Sequence, residues 1–278
     1  KDMVRLDPAT VQLWNGEKWT QVLGWSETPR VDNSIEIELR SGERIGCTPN
    51  HEWPTQRGNV RADELRVGDV IQTCQLPDEP QGAFDQPYIA AWARFVGLYL
   101  AEGSRTGSRI QISGHTKETD TRLKLCREVA DSLDGTVYAY EDGNKTTIFV
   151  TGKMVNALVD QYISGHDAHD KHLSPKVWKR PNSFLREILA GYLMGDGHYD
   201  VTNDRWRLGC CRNYNWEQDL RTLCARLGIQ LRLKLSTSVS QSGVFPAFRG
   251  ELRFNRSNHH NAKHDGEVVR IGRSKARK

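Results

Sequence analysis

Two stretches of this chain say nearly the same thing, and nothing else in it constrains the fold as much. The first reads Phe95-Val96-Gly97-Leu98-Tyr99-Leu100-Ala101-Glu102-Gly103, the second Leu189-Ala190-Gly191-Tyr192-Leu193-Met194-Gly195-Asp196-Gly197. Each is an apolar run that ends in one carboxylate and a glycine. Upstream, Ile89, Trp92, Ala93, Val96 and Leu100 recur at helical spacing, as do Phe184, Ile188, Leu189 and Tyr192. Small residues stand four apart in both, Gly97 with Ala101 and Gly191 with Gly195. That spacing puts them on one helix face, where missing side chains let two backbones approach closely. The pattern predicts two helices packed along this seam, each delivering its acid to the same end of the pair. Two carboxylates converging there can share hard divalent cations. One such stretch alone would read as an ordinary core helix with a glycine cap; the matched recurrence argues against that.

Both stretches resemble the LAGLIDADG, or dodecapeptide, motif of homing endonucleases. The resemblance implies that the acids Glu102 and Asp196 are metal-binding residues, helped by backbone carbonyls near Ala101 and Gly195. It implies Mg²⁺ as cofactor, with Mn²⁺ able to substitute, and double-stranded DNA as substrate.

With 278 residues the chain is long enough for one large domain or two smaller ones. No apolar run approaches a membrane span and the N-terminus lacks a signal-peptide core, so no membrane partner is expected. The six cysteines form no CxxC pair, and free thiols in a reducing compartment, cytoplasmic or nucleoid-associated, are the expectation. Adjacent Cys210 and Cys211 point to opposite faces if they lie on a strand. The net charge of +4 is unevenly placed: from residue 201 onward 16 Lys/Arg face 6 Asp/Glu, against 23 and 29 in residues 1–200. A basic C-terminal third suits a polyanion.

Residues 1–75 read as short strands. Val11–Trp14 and Trp19–Val22 flank an Asn15-Gly16 turn, and Ile35, Ile37 and Leu39 alternate with charged residues before a Ser41-Gly42 turn. Leu65–Ile71 is expected to be a further strand. This all-β part resembles the N-terminal part of an intein, the Hedgehog/intein (HINT) splicing fold, on its Thr48-Pro49-Asn50-His51 element and the later Val67-Gly68-Asp69. The resemblance implies that Thr48 and His51 polarise the upstream scissile amide, work that suits an imidazole near neutral pH. Trp53 resembles a variant class that starts from an internal cysteine instead of an N-terminal nucleophile. Residues 265–278 are expected to begin the C-terminal HINT part. Since neither junction residue is visible, splicing is not expected of residues 1–278 as they stand; the host protein (extein) would be a partner in cis.

The expected order is therefore an N-terminal HINT part over 1–80, a linker over 81–90, two repeats over 91–180 and 181–264, and residues 265–278. In the first repeat a strand at Arg109–Ile112 precedes a helix at Arg122–Leu133 and strands at Thr136–Tyr140 and Thr146–Val150. In the second, Arg205–Leu208 precedes a helix at Trp216–Leu227, with Leu231–Leu235 and Glu251–Phe254 on either side of a Ser/Gly-rich loop, 236–244. This is an α+β fold class: a pseudo-twofold αββαββ endonuclease, monomeric, inserted in an all-β splicing module. On its strands Arg205, Arg207, Arg232 and Lys234 alternate with apolar residues, predicting a basic sheet face for DNA, matched less strongly by Arg109 and Gln111.

A catalytic cation is also expected. In intein endonucleases a lysine precedes the second motif, and Lys171 stands 25 residues before Asp196. The family proline would follow three residues after it, where Ser174 stands, which keeps Lys176 as an alternative. By the repeat, Lys263 is its counterpart: Lys171 lies 69 residues after Glu102 and Lys263 lies 67 after Asp196. Two other readings stay open: a DNA-binding protein of this fold without cleavage, and a splicing element whose endonuclease is a passenger.

Overall fold

The computed structural model describes residues 3–5, 12–26, 33–73, 76, 89–240, 243–254 and 266–273. The expected linker over 81–90 falls outside the described residues except for Ile89 and Ala90, and Lys263 and Cys74 fall outside them as well. The chain divides into two compact units. One comprises Lys1–Asp78, Arg232–Lys234 and Asn255–Lys278, the other Glu79–Leu231 and Leu235–Phe254. No helix among the described residues is long and apolar enough to cross a membrane.

The first unit is built from short antiparallel strands: β1 (Met3–Arg5) with β4 (Gly24–Ser26), β2 (Gln12–Trp14) with β3 (Trp19–Gln21), and β7 (Glu52–Thr55) with β8 (Gly58–Arg61). A three-stranded sheet places β5 (Ile35–Leu39) between β6 (Arg44–Cys47) and the late strand Val268–Arg273. The alternation in β5 buries Ile37 and Leu39, which join Val60, Leu65, Ile71 and Val268 in one small core. Leu65–Ile71 does not form the expected strand. Gly68 turns there at φ +96°. Asp69, 5% exposed, gathers Arg57 Nε at 2.8 Å, Arg57 Nη2 at 2.6 Å and the Arg66 N–H at 2.8 Å. The paired guanidinium holds its carboxyl below the usual range. Only Val70 and Ile71 pair, through isolated bridges to Glu267 and Thr55.

The second unit repeats itself. Helix α1 (Ala90–Glu102) leads into β9 (Gly103–Thr106), β10 (Arg109–His115), α2 (Thr119–Ser132), β11 (Thr136–Asp142), β12 (Lys145–Thr151) and α3 (Lys153–Tyr162). A short pair, β13 (Ile163–Ser164) with β14 (His172–Leu173), connects to α4 (Asn182–Asp196). Then come β15 (Gly197–Asp200), β16 (Arg205–Cys211), α5 (Tyr214–Arg226), β17 (Gln230–Ser240) and β18 (Gly243–Arg253). The two sheets have matching orders, β11-β12-β10-β9 and β17-β18-β16-β15. Of the stretch expected as a loop over 236–244, residues 236–240 prolong β17 and 243–244 begin β18, each an 11-residue strand, while 241–242 fall outside the described residues. The short strands β9 and β15 supply the first strand of each αββαββ repeat, for which no residues were singled out in the sequence, and α3 lies beyond that order.

Candidate functional site

The site is assembled where α1 and α4 end side by side. A methyl group at Gly97 would overlap the Ile188 carbonyl, and one at Gly191 the Arg94 carbonyl, so backbone meets backbone in both directions. At the far end of the seam a Cβ on Gly195 would overlap the Ala101 Cβ and crowd the Glu102 side chain. These helices hold together by apposition of small residues, with the Arg94–Glu187 pair at 2.6 Å beside them. Neither helix stops in a left-handed cap. Gly103 (φ −83°) and Gly197 (φ −99°) are extended, and donate to Tyr99 O and Leu193 O. They are glycines because a Cβ would strike Tyr99 in one case, and Leu193 and Trp206 in the other.

Glu102 and Asp196 emerge together from this end. Burial raises the proton affinity of Glu102 against the opposing charge of Arg122. Burial, and then the Glu102 charge, push Asp196 up to about 7. The two acids therefore feel one another, in a site that resists negative charge. Among the described residues no three His, Cys, Asp or Glu side chains gather as a metal cluster. The donor set at hand is hard oxygen: two carboxylates, and the last-turn carbonyls such as those of Ala101 and Gly195 that a helix end leaves without N–H partners. Half-buried carboxylates at one helix-pair end suit a divalent cation of the Mg²⁺ kind.

Lys171 is brought to the same end, but inward. It is 4% exposed, and its Nζ donates to Tyr99 O (2.9 Å) and Gly103 O while lying 4.9 Å over the Tyr99 ring. Burial lowers its pKa to about 8 against the charges of Asp196, Cys211 and Glu102. Reading the sequence missed a second buried cation, Arg122 in α2, 2% exposed. Its guanidinium donates to Ser113 O (2.7 Å) and Met194 O (3.1 Å), and meets Glu118 at 2.8 Å and Glu102 at 3.5 Å. The signal was there: Arg122 stands on the helical stripe of Leu125, Cys126 and Val129, a core position for which a charge needs a reason. Beside Asp196 opens a cleft of about 480 Å³, lined by His169, Lys171, Cys210, Asn213 and Phe245 among others.

The sheet residues read as DNA contacts occupy unlike settings. On the first sheet Arg109 donates to the Tyr138 hydroxyl (3.0 Å) and lies over Phe149, which stacks on Tyr138, while Gln111 donates to Thr106. On the second, Arg205 pairs with Asp200 (3.1 Å) and Glu251, and Arg207 with Asp200 (2.7 Å). These pairings and a hydrogen bond from Asn203 hold the Asp200 carboxyl well below the usual range. The expected basic face is thus a lattice of matched charges. Arg232 and Lys234 lie on β17, half-buried and exposed, on either side of buried Leu233. In the first unit Thr48 and His51 are both exposed, joined by a His51 N–H to Thr48 O bond of 3.1 Å. The His51 ring stands edge-on to Trp53 at 4.8 Å.

No family model matches the chain. Among curated proteins it is similar to the DNA-directed RNA polymerase subunit Rpo1C of Methanocaldococcus jannaschii, 22% identical over 235 residues, 70% of this chain and 27% of that protein. It is also similar to an iron–sulfur cluster assembly SufBD family protein of Mycobacterium bovis, 28% identical over 145 residues, 49% of this chain and 17% of that protein. The chain thus spans less than a third of either relative's length. Its neighbours among solved structures are LAGLIDADG proteins. The homing endonuclease I-DmoI in complex with DNA and Ca is 12% identical at a TM-score of 0.40, over 58% of this chain and 82% of that one. The N-terminal LAGLIDADG domain of DUF199/WhiA is 10% identical at 0.39, over 72% and 98%.

Proposed function

We propose that the second unit is a site-specific DNA endonuclease of the LAGLIDADG kind, making Mg²⁺-dependent double-strand breaks as a monomer, and that the first unit belongs to the intein splicing module carrying it. The seam carries the reading: two glycine-apposed helices deliver Glu102 and Asp196 to one end, where burial raises both proton affinities and the Glu102 charge raises that of Asp196 further. Glu102 and Asp196 would hold Mg²⁺, which would supply charge stabilisation and water activation for phosphodiester hydrolysis. Each carboxylate must shed its proton to bind the cation, and the repulsion between the two is relieved when it does. Ala101 and Gly195 offer carbonyl oxygens in the same last turns. Behind the acids, Lys171 and Arg122 keep fixed positive charge, which limits the negative charge that reaches an incoming phosphate. The sheet faces follow the duplex.

The test is incubation of the purified chain and Mg²⁺ with plasmids carrying a randomised duplex insert, followed by sequencing of the linearised fraction. Enrichment of one insert, lost in Glu102→Gln and Asp196→Asn while both variants still bind it, is expected. Equal linearisation by the variants would overturn the shared-metal reading.

Three observations support the splicing part. Chain order inserts the second unit within the first, whose β5 pairs with residues from 268 onward. Thr48, His51 and Trp53 cluster at the start of β7. The curated relatives carry unrelated names and match over a minority of their lengths, as hosts of a shared mobile segment would. Expressed within its host protein, the chain should yield ligated host and excised element, and His51→Ala should stop both; ligation unaffected by that change would remove His51 from the chemistry.

A further inference from the structure

The acids of the proposed nuclease sit at two helix ends that carry no basic residue of their own in the last turn. Such an end leaves carbonyls without partners and presents partial negative charge, so a buried acid there adds to an unfavourable field. A cation has to arrive from elsewhere, and in both cases the cation that arrives bridges the two repeats.

Arg122 belongs to the first repeat through α2. Its Nη1 is anchored on Ser113 O in β10, and Gly114 makes room for it, since a Cβ there would overlap the guanidinium. From that anchor Nη2 reaches across to Met194 O, two residues before Asp196 on α4 of the second repeat. Lys171 is fixed the other way. Asn213, the N-cap of α5, donates to Lys171 O (2.8 Å) and Ala168 O (3.2 Å), and Asp219 in α5 accepts the Leu173 N–H (2.8 Å). The lysine is thus held by the second repeat while its Nζ takes Tyr99 O and Gly103 O, on either side of Glu102 in the first.

We propose that Arg122 and Lys171 are positioning residues forming a crossed clamp: Arg122, anchored on β10, grips the end of α4, and Lys171, in the connector held by α5, grips the end of α1. The clamp gives the glycine seam its registry: neither helix end can slide or fray without pulling a buried charge from the opposite half. It sets the placement of Glu102 and Asp196 before DNA or cation arrives. This inference rests on the nuclease reading only for that consequence; the clamp itself is a property of the free chain.

Hydrogen exchange of the free chain, read by mass spectrometry over peptides spanning the two helix ends, tests it. Arg122→Met should speed exchange at the Gly195–Gly197 end of α4 by roughly tenfold while leaving the Gly103 end of α1 nearer to wild type. Lys171→Met should do the reverse, loosening Gly103 first. Arg122→Lys and Lys171→Arg keep the buried charge and the fold, and should give the same crossed pattern with smaller amplitude. Loosening of the wrong end (Gly103 first in Arg122→Met, Gly195–Gly197 first in Lys171→Met), equal loosening of both ends, or no change in the conservative variants would overturn the clamp. In the cleavage assay the conservative variants should lose turnover while DNA affinity holds. A crossed exchange pattern in a wild-type chain that cuts no DNA would leave the clamp standing and sink the nuclease reading; cleavage with uniform loosening would do the opposite.

Discussion

The two repeats share one strand order and clothe it with different chemistry. On the first sheet the outward face is aromatic and hydroxylic, with Tyr138 stacked on Phe149 at 4.7 Å and Arg109 bound to the pair. On the second it is a lattice of Arg205, Arg207, Asp200 and Glu251. The acids differ likewise: Glu102 has a guanidinium beside it, while Asp196 has Glu102's charge and a buried tyrosine, Tyr192. What the repeats hold in common is backbone: the seam glycines, the extended glycine after each acid, and the sheet order. The fold tolerates divergence of side chains on its faces because the helix pair is held by the absence of side chains at its centre.

The largest effect should come from breaking what is shared. Gly97→Ala and Gly191→Ala each drive a methyl into the facing helix's backbone, which cannot yield as a side chain would. Each should cost about 3 kcal/mol or more, read in urea unfolding, and the two losses should match. Gly46→Ala, where a Cβ meets nothing within 4 Å, is the control. A tolerated alanine at either seam position would mean that the helices do not meet through their backbones.

Next come the acids. Loss of either carboxylate from a shared cation site should lower double-strand cleavage by about 100-fold or more. Glu102→Gln and Asp196→Asn should fall alike in the full break. A variant that still nicks one strand at the wild-type rate would show that each acid serves its own cation.

The surroundings of the acids also separate them by pH. Asp196, raised to about 7, keeps its proton in the folded chain across a range where the unfolded chain, titrating near about 4, has lost it. The folded state binds more protons there, so metal-free stability should fall as pH rises from the ordinary carboxylate range to about 7 and then level off. A total of about 4 kcal/mol is expected. Asp196→Asn should remove most of that fall and stabilise the metal-free chain at pH 8. Glu102→Gln should act in the same direction but less, because Arg122 opposes the burial of Glu102. An unchanged pH profile in Asp196→Asn would place the titration elsewhere.

Much of this was legible in the sequence where a pattern has one physical solution. Small residues four apart on two apolar helices, Gly97 with Ala101 and Gly191 with Gly195, have little use except close approach, and the seam follows from them. Helix α3 was also legible, since Val155, Leu158, Val159 and Tyr162 follow helical spacing behind Gly152 at φ +148°. The segment Leu65–Ile71 misleads because its apolar residues suggest a strand, whereas Asp69, buried against Arg57, bends the chain away. The crossed cations could not be read in full. Position on the α2 stripe marks Arg122 as buried, but only the fold shows that one of its partners, Met194 O, lies on the other repeat's helix.

The smallest effect should be on the sheets, where the sequence promised the plainest result. A basic face that meets phosphates releases about 0.9 counterion per charge, so each lost arginine should flatten the salt dependence of DNA binding by about that much. Arg205 and Arg207 are already matched to Asp200 and Glu251, and a guanidinium held by a carboxylate has little left for a phosphate. Arg205→Ala and Arg207→Ala should therefore change the slope by well under one unit each. Asp200→Asn, which takes the carboxylate from Arg207 and leaves Arg205 to Glu251 alone, should steepen the slope and tighten binding at low salt. Tyr138→Ala on the first sheet removes the Phe149 stack and the Arg109 partner without removing a charge, so it should weaken binding with the slope unchanged. Slopes measured by fluorescence anisotropy on one duplex would decide. A full unit lost with each arginine would mean that the lattice opens on DNA and that its carboxylates are the part displaced.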